Sequence, residues 1–203
     1  MVNGGYDEGY AATDCFWGTD AASLVRQFLA DHEVAGLSVL DIGCGEGKNA
    51  NAFAGAGAHV TAIDCSELAI QTGQRLFRSQ LIDWQVGNAA LVRLETEQYD
   101  VVVSYGLFHC LSNADALDEL ITRLQTTTRK GGFNIFCTFN DRSQDLSAHP
   151  GFEPLLLSHR WYLDRYAGWE VVTVSDSDLH ETHPHNQIPH HHSLTRMIAR
   201  KNA

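Results

Sequence analysis

The feature that most constrains this chain is a glycine-rich turn placed directly after a short apolar segment. Residues 39–49 read Val-Leu-Asp-Ile-Gly-Cys-Gly-Glu-Gly-Lys-Asn, with glycines at three alternate positions. Such glycines give a tight strand-to-helix turn its backbone freedom, and they leave no Cβ between the backbone and a ligand. The first amides of the following helix point free N–H groups at the same place. The segment therefore predicts a turn that binds a nucleotide cofactor.

The spacing of the glycines separates two cofactor classes. A dinucleotide fingerprint is Gly-x-Gly-x-x-Gly, and its third glycine would fall at Lys48. The pattern here is Asp-x-Gly-x-Gly-x-Gly, from Asp41 to Gly47. It resembles the first motif of the class I S-adenosylmethionine-dependent methyltransferases. A carboxylate at Asp41 repels a pyrophosphate but attracts the ammonium and sulfonium of S-adenosylmethionine. A glycine turn without a ligand is the structural alternative.

Two further polar residues follow apolar segments. Asp64 ends an alternating segment about 20 residues beyond the glycine turn, where a carboxylate can accept hydrogen bonds from both ribose hydroxyls. Asn88 ends the next segment, and in the methyltransferase family this position often reads the adenine amino group. The alternatives are an exposed acid at a strand end for Asp64 and a simple Asx turn for Asn88.

The expected cofactor is S-adenosylmethionine. The residues expected to contact it come from these motifs, their neighbours, the end of the fourth strand and the N-terminal segment. They are Trp17, Asp41, Gly43, Cys44, Gly45, Asn49, Asp64, Cys65, Asn88, Ala89 and Ser104. For Trp17, stacking over the cofactor, covering the substrate and packing in the core are all open.

Composition indicates a globular protein whose partner is a small molecule. The 203 residues are 44% hydrophobic and 19% charged, values typical of one folded domain. The net charge of −11 disfavours nucleic acid and anionic membranes, because phosphate groups would be repelled. The first eight residues lack the features of a signal peptide, and no apolar run reaches ~20 residues. The five scattered cysteines predict reduced thiols in a cytoplasm.

Hydrophobic periodicity predicts alternating helices and strands, and hence a doubly wound, mostly parallel α/β sheet of seven strands with an antiparallel last strand. This is the Rossmann-like methyltransferase fold. We expect one domain with an N-terminal lid and helix at 1–36, a cofactor-binding core at 37–140, and a substrate-side helix and terminal β-hairpin at 141–203. The predicted helices are 21–32, 49–56, 66–78, 114–129 and 153–166, and the predicted strands are 37–42, 59–63, 83–86, 99–105, 133–139, 170–175 and 193–200.

Anchors outside the cofactor motifs resemble the tellurite-resistance TehB-like branch of this family. These anchors are residues 15–18, 168–170 and 197–201. The resemblance implies a monomeric or homodimeric soluble enzyme that methylates small molecules, sometimes oxyanions of tellurium or selenium. In that branch an Arg follows a functional His, whereas here Glu181 follows His180. Fixed positive charge for an oxyanion is therefore expected to be missing, which argues against tellurite but not against methyl transfer.

Six of the eleven histidines lie in residues 179–192, which we predict to be a long loop between the last two strands. Two prolines in it exclude the helical zinc arrangement. Three interpretations remain: a polar loop held by imidazole hydrogen bonds, a lid over the substrate, or a bound transition metal. His180 is the expected catalytic residue, because it aligns with the functional His of the branch, and His183 and His185 are expected at the substrate. We expect no bound metal. In the alternative with a metal, His180, His183 and His185 are the candidate ligands.

The segment after the fourth strand is the other candidate for the acceptor site. In the resembled fold it lies beside the reactive methyl group. Tyr105 and Phe108 are expected to line the site beside the sulfonium and the substrate. For Phe108 the alternative is packing in the core. His109 is the second expected catalytic residue, because imidazole can act as a general base near pH 7.

The function expected from the sequence is in-line methyl transfer from S-adenosylmethionine to a sulfur, nitrogen, oxygen, selenium or tellurium atom of a small molecule. Two alternatives belong to another class: a non-catalytic regulator that binds S-adenosylmethionine, and a metal-binding protein that uses the histidine segment. A dehydrogenase is the third alternative.

Overall fold

A computed structural model describes residues 6–183 and 187–203. Its seven strands form one sheet in the order β3-β2-β1-β4-β5-β7-β6. The strands are β1 (Ser38–Ile42), β2 (His59–Asp64), β3 (Ile82–Val86), β4 (Tyr99–Tyr105), β5 (Thr128–Gln144), β6 (Glu170–Glu181) and β7 (His190–Arg200). The helices are α1 (Tyr6–Ala12), α2 (Ser23–Asp31), α3 (Lys48–Gly55), α4 (Glu67–Leu76), α5 (Ala114–Thr127) and α6 (His159–Arg165). No helix in these described ranges is long and apolar enough to cross a lipid bilayer.

The sheet is parallel from β3 to β5 and antiparallel at β7. Strand β1 pairs in parallel with β2 and β4, β2 pairs in parallel with β3, and β4 pairs in parallel with β5. Strand β7 then runs antiparallel to both β5 and β6. The predicted fold class is confirmed, including the antiparallel last strand.

Helices cover both faces of the sheet because its central strands are apolar on both sides. One face packs against α2 and α3, through residues that include Phe28 and Phe53. The other face packs against α5 and α6, where Leu120 and Tyr162 are almost fully buried. Ser66 caps the N-terminus of α4, since its hydroxyl accepts a hydrogen bond from the Ala69 N–H at 3.1 Å. These layers leave the carboxyl ends of the parallel strands free to form a site.

Several predicted helix boundaries are wrong, and two of them change the neighbouring structure. The helix predicted over 114–129 ends at Thr127, and β5 begins at once. Gly132 therefore belongs to a strand, where a Cβ would lie 2.6 Å from the carbonyl oxygen of Asp100 in β4. The helix predicted over 153–166 is confined to α6, because residues 153–158 are not helical and Leu157 forms an isolated bridge with Asn140.

The predicted long histidine loop is also wrong. Strands β6 and β7 continue far beyond the predicted ranges 170–175 and 193–200, and they pair from Glu170–Arg200 up to Glu181–His190. His180 and the triplet 190–192 are therefore strand residues whose side chains alternate between the two faces of the sheet. Only residues 182–189 connect the two strands.

Two glycine substitutions in helices test how tightly α4 packs against β3. In α4, a Cβ on Gly73 would lie 2.6 Å from the Trp84 ring and 2.7 Å from the Glu46 carbonyl oxygen. We expect Gly73→Ala to lower the free energy of unfolding by about 1–3 kcal/mol or more through overpacking. Gly55→Ala in α3 is the matched control, since no heavy atom lies within 4 Å of its Cβ position. It should be neutral or stabilise by ~0.4–1 kcal/mol.

Urea denaturation of both variants and the wild type measures the difference. Equal stability of the two variants would contradict the packing of α4 against β3.

Candidate active site

A cavity of about 350 Å³ lies at the carboxyl ends of the parallel strands. This volume suits a ligand of nucleoside size. The glycine turn and the ends of β2 and β4 form one wall. Tyr6 and Tyr10 of α1 cover it, and side chains from β6 and β7 close the far end. The cavity therefore joins the motifs that the sequence predicts for the cofactor to the C-terminal strand pair.

The glycine turn is held by the neighbouring strand. The carbonyl oxygen of Ile63 accepts hydrogen bonds from the N–H groups of Gly43, at 2.8 Å, and Cys44, at 3.0 Å. Gly45 has φ +55°, a left-handed conformation that favours glycine, and a Cβ there would lie 3.0 Å from the Tyr10 hydroxyl oxygen. Glycine at this position lets Tyr10 and Trp17 approach the turn closely.

Asp64 is fixed in the cavity wall by backbone donors. One carboxylate oxygen accepts from the Gly45 N–H at 2.8 Å, and the other accepts from the Ser66 N–H at 2.9 Å. Burial raises the pKa of Asp64, while these two N–H groups act in the opposite direction. Each oxygen can accept a further hydrogen bond. Asp64 thus offers a preoriented pair of acceptors, as a ribose requires.

Glu46, which the sequence analysis missed, is the buried acid of the cavity. Its side chain is 1% exposed, and Oε2 accepts a hydrogen bond from the Trp17 N–H at 3.1 Å. The other oxygen, Oε1, has no hydrogen-bond partner among the described residues. A buried carboxylate oxygen without a donor is unfavourable, so this position favours a ligand with an ammonium group. Its place between two motif glycines was the available signal.

Asp41 lies behind the turn and not on the cavity wall. The residue is 1% exposed, and neither carboxylate oxygen has a hydrogen-bond partner within the described part of the chain. Burial raises the pKa of Asp41 to about 7. The Ala50 N–H lowers it without reaching hydrogen-bonding geometry, and the charge of Asp64 raises it further. Asp41 does not line the cavity, so a ligand there would be affected only by the charge of its ionised form.

The other residues predicted for the cofactor divide into two groups. The cavity is lined by Trp17, Gly43, Cys44, Gly45, Asn49, Asp64, Cys65 and Ala89. Asn88 and Ser104 are outside this lining. The Asn88 side-chain oxygen accepts from the Ala90 N–H at 2.9 Å, so it forms the Asx turn that was the alternative. Ser104 is buried in the sheet.

Residues predicted for the acceptor are placed in four ways. Tyr105, His109 and His183 line the cavity. Phe108 is fully buried, packs against Phe136 and Tyr162, and so does not reach a substrate. His180 is exposed and lies outside the cavity lining, whereas its neighbours Leu179 and Glu181 in β6 line the cavity. The prediction of a catalytic His180 is wrong, because successive side chains of a strand point to opposite faces of the sheet and that of His180 points away from the cavity. His185 lies outside the described residues.

His109 is neutral and has one fixed tautomer. Its Nδ1 accepts a hydrogen bond from the Phe139 N–H at 3.2 Å, so the ring hydrogen resides on Nε2. Burial lowers the pKa of His109 to about 3, and His192 and His149 act in the same direction. The ring stacks on Phe139 at a centroid distance of 3.9 Å. The predicted general base near pH 7 is therefore wrong for His109, which is suited to donate its Nε2–H.

Positive charge is present in the cavity, contrary to the expectation from the sequence. Arg196 of β7 lines it, and its buried Nε has no hydrogen-bond partner among the described residues. A terminal nitrogen of Arg196 donates to the Ser177 hydroxyl at 2.8 Å. Lys48 also lines the cavity and donates to the Trp17 carbonyl oxygen at 3.1 Å. Arg196 was missed because its side-chain direction depends on the register of β7.

Four of the five cysteines also line the cavity: Cys44, Cys65, Cys110 and Cys137. Burial is the main cause that raises the pKa of each of these thiols. The pKa reaches about 12 for Cys110 and about 11 for Cys137. All four are free of disulfide bonds.

Comparison with known proteins shows which family this site resembles. A family described as "Methyltransferase domain" matches residues 39–132, which span the glycine turn and Asp64. Within residues 39–132 the chain therefore resembles the class I methyltransferases. Demethylmenaquinone methyltransferase from Clavibacter sepedonicus is 31% identical to the chain over 125 residues, 61% of this chain and 49% of that protein. Ubiquinone biosynthesis O-methyltransferase from Paraburkholderia phytofirmans is 33% identical over 114 residues, 55% of this chain and 48% of that protein.

The chain thus spans about half the length of these curated relatives. Its fold resembles TehB from Haemophilus influenzae, with a TM-score of 0.75 and 22% identity over 91% of this chain and 64% of that one. The predicted resemblance to the class I methyltransferases, and to TehB among them, is confirmed. S-adenosylmethionine is the methyl donor of this domain family.

The raised pKa of Asp41 predicts a specific pH dependence. The pKa is about 7 in the folded protein and 3.8 in the reference state, so the folded state retains its proton longer. The stabilisation is present at low pH and is lost as pH rises through 7. We expect Asp41→Asn, which is neutral at every pH, to exceed the wild type in unfolding free energy. The excess should be on the order of 2–3 kcal/mol larger at pH 8 than at pH 5.

Chemical denaturation of the ligand-free protein at the two pH values measures this. A parallel pH dependence for the variant and the wild type would contradict a buried, uncompensated Asp41.

Proposed function

We propose that this protein transfers the methyl group of S-adenosylmethionine to a small-molecule acceptor. The main observation is the position of Asp64, which presents two preoriented carboxylate oxygens in a cavity that also contains Glu46. The Asp64 oxygens suit the two ribose hydroxyls, and Glu46 suits the ammonium of the amino-acid part. Asp41 adds negative charge behind the glycine turn, which favours a cationic ligand over a dinucleotide. Gly87 and Ala89 line the part of the cavity expected for the adenine.

The acceptor end of the cavity supports an acceptor that carries an anionic group. Arg196 and Lys48 supply positive charge there, and Leu179, Phe139 and Leu194 supply apolar surface. The names of the relatives, in ubiquinone biosynthesis and demethylmenaquinone methylation, also favour a small molecule. The acceptor atom remains a sulfur, nitrogen, oxygen, selenium or tellurium. Because Arg196 is present, selenium or tellurium oxyanions fit the site better than the sequence suggests.

In this proposal the residues of the chain orient the methyl donor and the acceptor, and His109 donates a hydrogen bond. When bound, S-adenosylmethionine supplies a methyl group that its sulfonium makes electrophilic. Asp64 and Glu46 fix one end of the donor, and Tyr105 and His109 bound the space in which an acceptor approaches in line. Such orientation can lower a barrier by ~7–11 kcal/mol. His109 is neutral, so it can hold an acceptor through its Nε2–H but is a poor base. A nucleophile that is already anionic needs no base.

The proposal extends to the domain organisation, location and partners of the protein. We propose a single methyltransferase domain with the parts 1–36, 37–140 and 141–203, acting in the cytoplasm as a monomer or homodimer. The net charge of −11 supports small-molecule rather than nucleic-acid or membrane partners.

Donor binding is tested by substituting Asp64. We expect Asp64→Ala to weaken S-adenosylmethionine binding more than tenfold, because both ribose acceptors are lost; isothermal calorimetry measures the affinity. Asp83→Ala is the matched control, since Asp83 is an exposed acid on β3 outside the cavity. Its affinity should equal that of the wild type. Asp64→Asn serves if the alanine variant does not fold. A wild-type protein that does not bind S-adenosylmethionine would refute the proposal.

Arg196 is tested by its effect on acceptors. A panel of small acceptors is screened by release of S-adenosylhomocysteine, which also separates an enzyme from a non-catalytic regulator. For an anionic acceptor we expect Arg196→Gln to raise KM at least tenfold, about 1.4 kcal/mol of lost binding. Neutral acceptors should be unaffected. Arg200→Gln, an exposed arginine at the far end of β7, is the control. An equal effect on neutral acceptors would contradict this role.

A further inference from the structure

Four histidines from three segments converge at the end of the cavity. The Nε2 atom of His149 lies 3.1 Å from Nε2 of His183 and 3.3 Å from Nε2 of both His190 and His192. The Glu181 carboxylate lies 3.7 Å from Nε2 of His190 and 3.9 Å from Nε2 of His192. His149 comes from the segment after β5, His183 follows β6, and the other two histidines belong to β7.

Strand alternation explains why these histidines meet. His190 and His192 are two residues apart in β7, so they lie on the same face as Leu194 and Arg196, which line the cavity. His191 points to the other face, where its ring lies 5.7 Å from that of His180. The side chains of His190 and His192 have no exposed surface. A histidine-rich sequence is thereby divided into one group that faces the cavity and a pair on the opposite face of the sheet.

The hydrogen bonds behind the cluster determine two tautomers. Nδ1 of His190 lies 2.8 Å from the carbonyl oxygen of Ile188, which can only accept, so Nδ1 carries the hydrogen. Nδ1 of His192 lies 2.9 Å from Oε1 of Gln144. The amide nitrogen of Gln144 donates to two backbone carbonyls, so its oxygen faces His192 and accepts. In the neutral rings, Nε2 of His190 and of His192 therefore each present a lone pair to the cluster.

Among the described residues, hydrogen bonds alone do not satisfy both of these lone pairs. Nε2 of His149 carries at most one hydrogen, and that hydrogen can serve only one of the two lone pairs that face it. A divalent cation accepts several lone pairs at once. For zinc–nitrogen bonds of ~2.0–2.1 Å, the nitrogen atoms of a tetrahedral site are about 3.3 Å apart, which matches the separations around His149. The contacts of His190 and His192 with Ile188 and Gln144 are of the kind that orients metal-binding imidazoles.

We infer that His149, His183, His190 and His192 form a binding site for a divalent transition metal of the zinc class, with Glu181 at its edge. Imidazole suits Zn, Cu, Fe and Ni, and the carboxylate offsets part of the positive charge. His149, His183 and Glu181 line the cavity, so the ion lies in its wall at the acceptor end. The site differs from the one the sequence suggested, since His180 faces away and His149 was missed. The inference does not depend on methyl transfer.

Cobalt titration of the protein without an affinity tag tests the site. The protein is treated with a chelator, checked for metal by mass spectrometry and titrated with CoCl₂, with visible absorption reporting nitrogen coordination. We expect one equivalent to bind and ZnCl₂ to displace it. His149→Ala and His192→Ala should each weaken binding at least 100-fold. Gln144→Leu, which leaves all ligands in place but releases His192, should weaken it 10–100-fold.

His180→Ala and His191→Ala are the matched controls, because these histidines are near in sequence but outside the cluster. Both should bind cobalt as the wild type does. Binding of less than one equivalent by the wild type, or equal loss in controls and ligand variants, would overturn the inference. Circular dichroism confirms folding, and the less buried His149→Ala decides the result if His192→Ala unfolds. Calorimetry with S-adenosylmethionine on the same metal-free samples keeps failure of this inference distinct from failure of the proposed function.

Discussion

The attachment of the glycine turn to the end of β2 is the contact on which the site depends. Strands β1 and β2 are parallel neighbours in register, with Ile42 opposite Ile63. The turn after β1 and the acid after β2 therefore emerge side by side. The carbonyl oxygen of Ile63 and the carboxylate of Asp64 together accept three N–H groups of the turn. This contact opens the cavity, orients the acid and directs the start of α3, all through backbone donors that substitution of side chains leaves in place.

The antiparallel pair β6–β7 completes the opposite end of the cavity. Because β7 reverses direction beside β5, one face of it places His190, His192, Leu194 and Arg196 along a line toward the parallel strands. The cavity thus has acids at the glycine turn and nitrogen bases with a guanidinium at the far end. This polarity matches a ligand pair in which the donor is cationic and the acceptor is electron-rich.

The sequence predicted the features that arise within one strand–turn–helix unit. The glycine turn, Asp64 and the alternation that builds the sheet are of this kind. Features that depend on the register of distant segments were missed or misplaced: His149 joins residues more than 30 positions away, and Arg196 depends on the face of β7. His180 failed because alignment with a family does not tell which side of an extended strand a residue occupies. Asn88 failed because its side chain is used by its own backbone.

The protonation of the four cysteines along the cavity determines whether the methyl donor can alkylate the protein itself. An electrophilic methyl group placed near sulfur can alkylate the protein itself, since the thiolate is a strong nucleophile. Burial raises the pKa of Cys44, Cys65, Cys110 and Cys137, so these sulfurs remain protonated at neutral pH. A protonated thiol is a poor competitor for a methyl group. The same apolar surroundings that shape the cavity therefore let it hold an alkylating agent beside four sulfur atoms without consuming it.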